Sequence, residues 1–299
     1  MRVNVIKPNF SYKPYRWYIP YLFIIPALIY FLIFTLYPIF FTIYISFTKW
    51  NLISNPIFIG VENYIKIFSD PVFLTSLRNS LILAFILQPI ITFTGFLLAL
   101  LLNRLLLWFR NILLFLFILP FIVPMAVSAV IWGRGFYDPI YGFLNALLRT
   151  MGLEGIAWLG DPNIALFSIS LVNFWAWVGY HSLIYLAGLQ SIPQELIEAA
   201  IVDGAGSIRI VIEIIIPLLK PVFTAAIILA TIGGLQIFTE VYMLTRGGPG
   251  YSTYTLGYAV YYKAFTEYDY GMAAAEALVL SLIVFILALI EMKVLGGVR

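Results

Sequence analysis

Hydrophobic positions in this chain gather into long runs separated by short polar stretches. Six runs reach the roughly 20 residues that a helix needs to cross a bilayer: about 20–47, 80–102, 112–133, 164–188, 221–244 and 273–295. The first four hold no charged residue. The fifth is clean from Pro221 to Thr239 and then meets Glu240, while the sixth is clean only from Ala277 to Ile290. Pro26, Pro89, Pro120 and Pro124 lie inside runs. Neighbouring helices must satisfy the backbone groups that proline frees, so the spans are expected to pack into a bundle. The predicted fold is an all-α integral membrane protein of six transmembrane helices. Residues 18–299 form one transmembrane domain behind a cytoplasmic segment, 1–17. The three longer connections, 48–79, 134–163 and 245–272, are too short for a soluble domain, and no repeat or low-complexity tract is visible.

Composition agrees with the pattern. The 299 residues are 63% hydrophobic and 10% charged, against about 45–50% and about 25% for a soluble domain. A net charge of +3, scattered along the chain, gives no footprint for nucleic acid. Cysteine is absent and His181 is the single histidine, which excludes disulfides, thiolate metal sites and histidine-rich metal clusters. The first residues carry Arg2, Lys7, Lys13 and Arg16 and no acid. The uncharged run from Tyr18 to Thr48 that follows far exceeds the 7–15 residues of a cleavable signal, so it is read as an uncleaved first span. With both termini in the cytoplasm, ten Lys or Arg lie inside and seven outside, the orientation favoured by the positive-inside rule.

That orientation puts one unusual segment inside the cell, between spans four and five. "SIPQELIEAAIVDGAG", 191–206, bears three acids and no base. Ser191 followed by Gln194 fits a capping box, Pro193 suits a first helical turn, and Gly204 and Gly206 end the helix. Leu196, Ala199, Ala200 and Asp203 fall on one side, and a second helix runs from Ser207 towards Pro217 and Pro221. An amphipathic connector lying on lipid would account for such a helix, but interfacial helices are usually rich in Lys and Arg. A small, acidic knob suits a protein partner better.

Glu198-Ala199-Ala200, three residues, Gly204, nine residues, then Ile214-x-Ile216-Pro217 resembles the EAA loop of ABC importer membrane subunits, with Ile216 in place of the usual Leu. The similarity continues at Asn103-Arg104, Leu119-Pro120, Ile131-Trp132, 187–205, "LTRGGPGYSTYTL" at 244–256, Ala264-Phe265 and Tyr270-Gly271. These blocks resemble binding-protein-dependent sugar permeases, including those for oligosaccharides and glycerol-3-phosphate. The resemblance implies that Glu198, Ala199, Ala200, Asp203 and Gly204 dock on a cytoplasmic ATPase. It also implies a second permease chain, two ATPase subunits, an extracytoplasmic solute-binding protein and a prokaryotic inner membrane. The chain has no G-x-x-x-x-G-K-[ST] phosphate loop, so ATP and Mg belong to the partner ATPase and this chain is a non-catalytic subunit without cofactor.

Polar residues inside spans usually face a cavity or another helix. In span four, Asn173, Trp177, Tyr180 and His181 share a face, as substrate contacts or as polar glue between helices. In span five, Gly233, Gln236, Glu240 and Met243 share another; by family analogy the substrate path runs here, although Gly233 and Gly234 equally suit close helix packing. Glu276 is placed in an outer vestibule or in solvent where span six begins. Arg246–Gly250, "RGGPG", is a tight outer turn on the side that the resemblance assigns to the solute-binding protein. The alternative function is an ion-coupled secondary transporter. It would call for inverted repeats, paired broken helices and intramembrane carboxylates, whereas the acids here lie near span ends. An intramembrane enzyme would need a nucleophile–base or metal constellation, and none is found. A purely structural subunit would leave the EAA spacing without a purpose.

Overall fold

A computed structural model describes Arg16 and residues 18–296. Arg2, Lys7, Lys13 and Arg299 of the orientation count, and all of the segment 1–17 except Arg16, lie outside the described residues. The chain divides into two compact units, Met1–Tyr44 and Ile45–Arg299. The first unit holds most of helix α1 (Ile19–Ser46), apolar throughout, with no buried side chain before Ile45.

The second unit opens with a short antiparallel pair, β1 (Thr48–Lys49) and β2 (Ile57–Phe58), Thr48 opposite Phe58. Then come α2 (Glu62–Ser69), α3 (Pro71–Asn103), α4 (Leu107–Ile122), α5 (Met125–Phe136), α6 (Phe143–Thr150), α7 (Ala165–Gln190) and α8 (Gln194–Val202). They are followed by α9 (residues 207–218), α10 (Lys220–Leu235), α11 (Thr239–Leu244), α12 (Leu256–Phe265) and α13 (Tyr270–Val294). By length and composition α1, α3, the α10–α11 stretch and α13 can each cross a membrane, and the α4–α5 pair does so if its 92° bend is one broken span. Helix α7 falls short by hydropathy, although it is 26 residues long and uncharged. Asn173, His181, Gln190 and three serines dilute its apolar character.

Those polar residues are tolerated because α7 is the central element of its unit, packed along α3 and α4 and touching α5, α10 and α11. Small residues set the spacing. A Cβ on Gly95 of α3 would lie 2.6 Å from the Cβ of His181, and one on Gly179 would collide with the carbonyl of Phe117 in α4. Gly234 of α10 does the same against α3, where a Cβ would meet the Cα of Ala84 at 2.7 Å. Close backbone approach of this kind is the usual means of holding apolar helices together in lipid. Leu83, Leu87, Ile91, Ile169, Val178, Ile237 and Val241 fill one part of the core. Phe96, Ala99, Tyr185, Leu189, Ile210, Ile215 and Leu219 fill another, and they tie α9 to the bundle.

Three prolines leave the same mark, whereas Pro26 and Pro120 lie within unbroken helix. A proline ring presses on the carbonyl four residues back, and its nitrogen donates no hydrogen bond. Pro38, Pro89 and Pro217 each follow a single wide, π-type turn, at Leu32–Leu36, Leu83–Leu87 and Val211–Ile215. The pressed carbonyls of Phe34, Phe85 and Glu213 sit in the middle of those turns. The N–H groups of Tyr37, Gln88 and Ile216 each reach five residues back instead of four.

Several sequence expectations change here. The expected third span, 112–133, is not one straight helix: Val123 precedes Pro124, adopts the extended conformation that position favours, and ends α4 at Ile122. The fifth stops at Leu235 and restarts at Thr239. The stretch 48–79 contains a hairpin, α2 and the start of α3, and 245–272 contains α12. The expected capping box does not form. Pro193 is the residue before α8, no side chain caps that helix, and the Ser191 hydroxyl donates to the carbonyl of Gly188, closing α7 instead.

Candidate substrate cavity

Where α10 stops and α11 begins, the backbone at Gln236 and Phe238 leaves helical geometry. The break opens a cavity of about 220 Å³ between α10–α11, α7, α3 and the start of α5. The α7 face read from the sequence lines it with Asn173, Trp177, Tyr180 and His181, and the fifth-span face with Gly233, Gln236 and Glu240. Both faces therefore meet across one space. Met243 does not join them: the helix break turns it, with Leu244, towards a second cavity of about 450 Å³. The two glycines divide their duties. Gly234 packs against α3, whereas a Cβ on Gly233 would meet nothing within 4 Å.

A chain of hydrogen bonds crosses the cavity wall. The Gln88 side-chain amide of α3 donates to Asn173 Oδ1 at 3.1 Å, and Asn173 Nδ2 donates to Glu240 Oε1 at 2.8 Å. Asn173 and Glu240 are 3% and 4% exposed, and a buried carboxylate is tolerable only when it is hydrogen-bonded. The chain joins three helices and fixes Asn173 in one orientation, with its oxygen to α3 and its nitrogen to α11. Gln88 was not singled out in the sequence, yet it is a polar residue in an otherwise apolar run, the signal that found Asn173. Phe121, at the end of α4, stacks on Tyr180 (ring centroids 4.5 Å, 20°) and meets Trp177 edge-on (5.1 Å, 68°). The wall is thus aromatic on one side and amide-rich on the other. His181 is buried, and its Nδ1 has no hydrogen-bond partner among the described residues.

Glu276 lies elsewhere, buried beside a small cavity with Asp70, Tyr254, Tyr262, Lys263 and Glu267. It is not in solvent at the start of span six. The turn at Arg246–Gly250 is tight as expected, with Arg246, Gly247 and Gly250 at positive φ and the Thr253 hydroxyl donating to the carbonyl of Gly248 at 2.8 Å. In α8, Ile197 and Ala200 pack inward against the core, while Glu198 and Ala199, and Asp203 and Gly204 just past its end, are exposed. Gly204 sits at φ +81°, the turn that a side chain would strain. Arg209 pairs with Glu213 at 2.9 Å on α9.

Apolar helices that enclose a cavity lined by amides, aromatics and one carboxylate define a membrane transport protein, with room for a polar solute. The chain belongs to the family of binding-protein-dependent transport system inner membrane components, whose description matches residues 91–292. It is 39% identical over 248 residues to the sulfoquinovosyl glycerol transport system permease protein SmoG of Agrobacterium fabrum, spanning 82% of this chain and 79% of that one. To the trehalose/maltose transport system permease protein MalF of Thermococcus litoralis it is 35% identical over 267 residues, 88% of each chain. Its fold matches, at TM-score 0.83 over 93% of this chain and 95% of the other, a bacterial ABC transporter involved in the import of the acidic polysaccharide alginate. That pair is 22% identical, so the likeness speaks for fold alone. The chain is the permease subunit of an ABC importer, as its EAA spacing implied.

Proposed function

We propose that this permease carries a saccharide, and that the cavity between α7 and the α10–α11 break is its share of the pathway. The observation that carries the reading is the pairing of an aromatic wall, Trp177 and Tyr180 backed by Phe121, with the Gln88–Asn173–Glu240 hydrogen-bond chain. Sugars offer apolar ring faces to aromatics and hydroxyls to amides and carboxylates. Such a wall meets both demands, and the relatives named for sugar transport support it.

In this reading α7 is a sixth span, shielded from lipid by its neighbours and therefore free to carry polar groups. Both termini and α8 face the cytoplasm. A second permease chain supplies the opposite wall, two ATPase subunits bind ATP and Mg, and a loaded binding protein docks outside. Helix α8 is the coupling helix. Glu198 and Asp203 offer charge-assisted contacts to the ATPase, Ala199 permits close approach, Ala200 anchors the helix to the core, and Gly204 forms the turn. Alternating access then follows from closure of the ATPases, which α8 passes to the spans.

Two measurements test this. Proteoliposomes holding the assembled importer should take up trehalose, maltose, maltotriose or diacetylchitobiose only with ATP inside; uptake driven by an ion gradient alone would overturn the reading. Gly204→Asp should leave the two permeases paired but abolish ATPase co-purification. A left-handed non-glycine residue costs about 1–2 kcal/mol, and an added Cβ meets nothing within 4 Å, so loss of docking without loss of folding is expected. Retention of the ATPase would remove α8 from the coupling role.

A further inference from the structure

The second cavity, of about 450 Å³, lies within the roughly 300–1,000 Å³ of small-molecule pockets. It is walled by Arg134, Tyr137, Asp138, Trp158, Met243 and Leu244, among others. Its rings are fixed before any ligand arrives. The Trp158 indole N–H donates to Asn145 Oδ1 at 3.1 Å, and the Tyr137 hydroxyl donates to the carbonyl of Ser168 at 2.7 Å. The two rings stack on each other, with centroids 5.8 Å apart and planes at 30°. Tyr137 is buried between Trp132 and Trp158 and serves as backing, so it is the part-buried Trp158 indole, its N–H occupied, that offers the cavity apolar ring surface.

The charged groups beside that surface are of opposite sign. Arg134 is exposed and has no hydrogen-bond or ion-pair partner among the described residues. Asp138 Oδ1 accepts the backbone N–H groups of Ile140 and Tyr141 at 2.9 Å each. The N–H of Tyr141, then that of Ile140, hold its carboxyl below the ordinary range, so it stays an acceptor at neutral pH. A fixed ring face flanked by a guanidinium and a carboxylate that sense each other's charge without forming an ion pair is the chemistry that grips a pyranose ring and its neighbouring hydroxyls.

The two cavities share α11. Glu240 lines the first and Leu244 the second, four residues apart, or about 6 Å along a helix. We propose that the second cavity is a saccharide site in its own right, holding one pyranose ring of a sugar on its way to the first. This rests on the saccharide reading above.

The probe is maltotriose carrying a diazirine, offered to the assembled importer in proteoliposomes and mapped by mass spectrometry. Competition by unmodified maltotriose should remove label from two places, residues 130–160 and the pair of segments 173–181 and 236–240. Trp158→Ala should cut the first label at least tenfold and leave the second within twofold. Trp158→Phe, which keeps a ring, should restore more than half of it. Arg134→Ala, at an exposed and unpaired residue, should cut the first label at least threefold, and it serves if Trp158→Ala fails to assemble. Competed label confined to 173–181 and 236–240, or label at 130–160 indifferent to both alanine variants, overturns the second site and spares the saccharide reading. Competed label in neither place overturns both.

Discussion

Single residues at the α7 seams separate packing from transport. Gly179 and Gly233 are both helical glycines near the cavity, but only the first has a neighbouring backbone where its side chain would be. Gly179→Ala must push α4 and α7 apart, and overpacking of this kind costs about 1–3 kcal/mol. It should lower the thermal midpoint of the purified complex and reduce its yield. Gly233→Ala adds a methyl group to open space and gains up to about 1 kcal/mol of helix propensity. Its midpoint should hold or rise while the rate of sugar uptake falls, because the methyl group occupies the cavity. Equal loss of midpoint in both variants would refute this division. The sequence marked Gly233 and Gly234 as a pair and could not separate them, since one residue of helical phase decides which of them meets α3.

Elements were legible in proportion to their apolar length. Five of the six runs were placed to within a few residues at one end or both, because a run of lipid-compatible residues leaves little choice but helix. The breaks were harder. Pro124 signals a stop, and Val123 obeys it, but nothing in "GLQIFTE" at 234–240 reads as one. The second break follows from the tertiary packing of Ile237 and Val241 into the core, and not from local preference. Helix α12 was missed because ten residues with four aromatics look like an interfacial loop. Between α6 and α7 one side chain organises a connection with no regular structure: Asn145 donates to the carbonyl of Ile156 at 3.0 Å and accepts from the Ile156 N–H at 2.9 Å and from Trp158. Asn145→Ala leaves those groups unmatched, at about 1–3 kcal/mol for an orphaned buried group. The expected outcome is faster proteolysis within 151–164 while the helices stay protected, as hydrogen exchange would report.

Across the whole molecule, composition points to the class and spacing to the family, while the direction in the membrane rests on a ten-to-seven count of Lys and Arg alone. The absence of cysteine makes that direction straightforward to measure. Val202 and Tyr141 are 86% and 85% exposed, so either can become a single cysteine without disturbing the core. In right-side-out vesicles a membrane-impermeant maleimide should label Tyr141→Cys and spare Val202→Cys, and inverted vesicles should reverse the pattern. The opposite result would turn the orientation over and take α8 away from the ATPases. The wide turns ahead of Pro38, Pro89 and Pro217 bear on how such a chain tolerates change in length. Each is a helix that already holds one residue more than its neighbours need. Deleting one residue within Leu83–Leu87 returns that turn to ordinary pitch and leaves the faces on either side in phase. The same deletion at Leu98 would swing everything beyond it by about 100°, carrying Ala99 and Leu102 out of the core that they fill. Length variation among descendants of this gene should therefore collect one turn ahead of these three prolines.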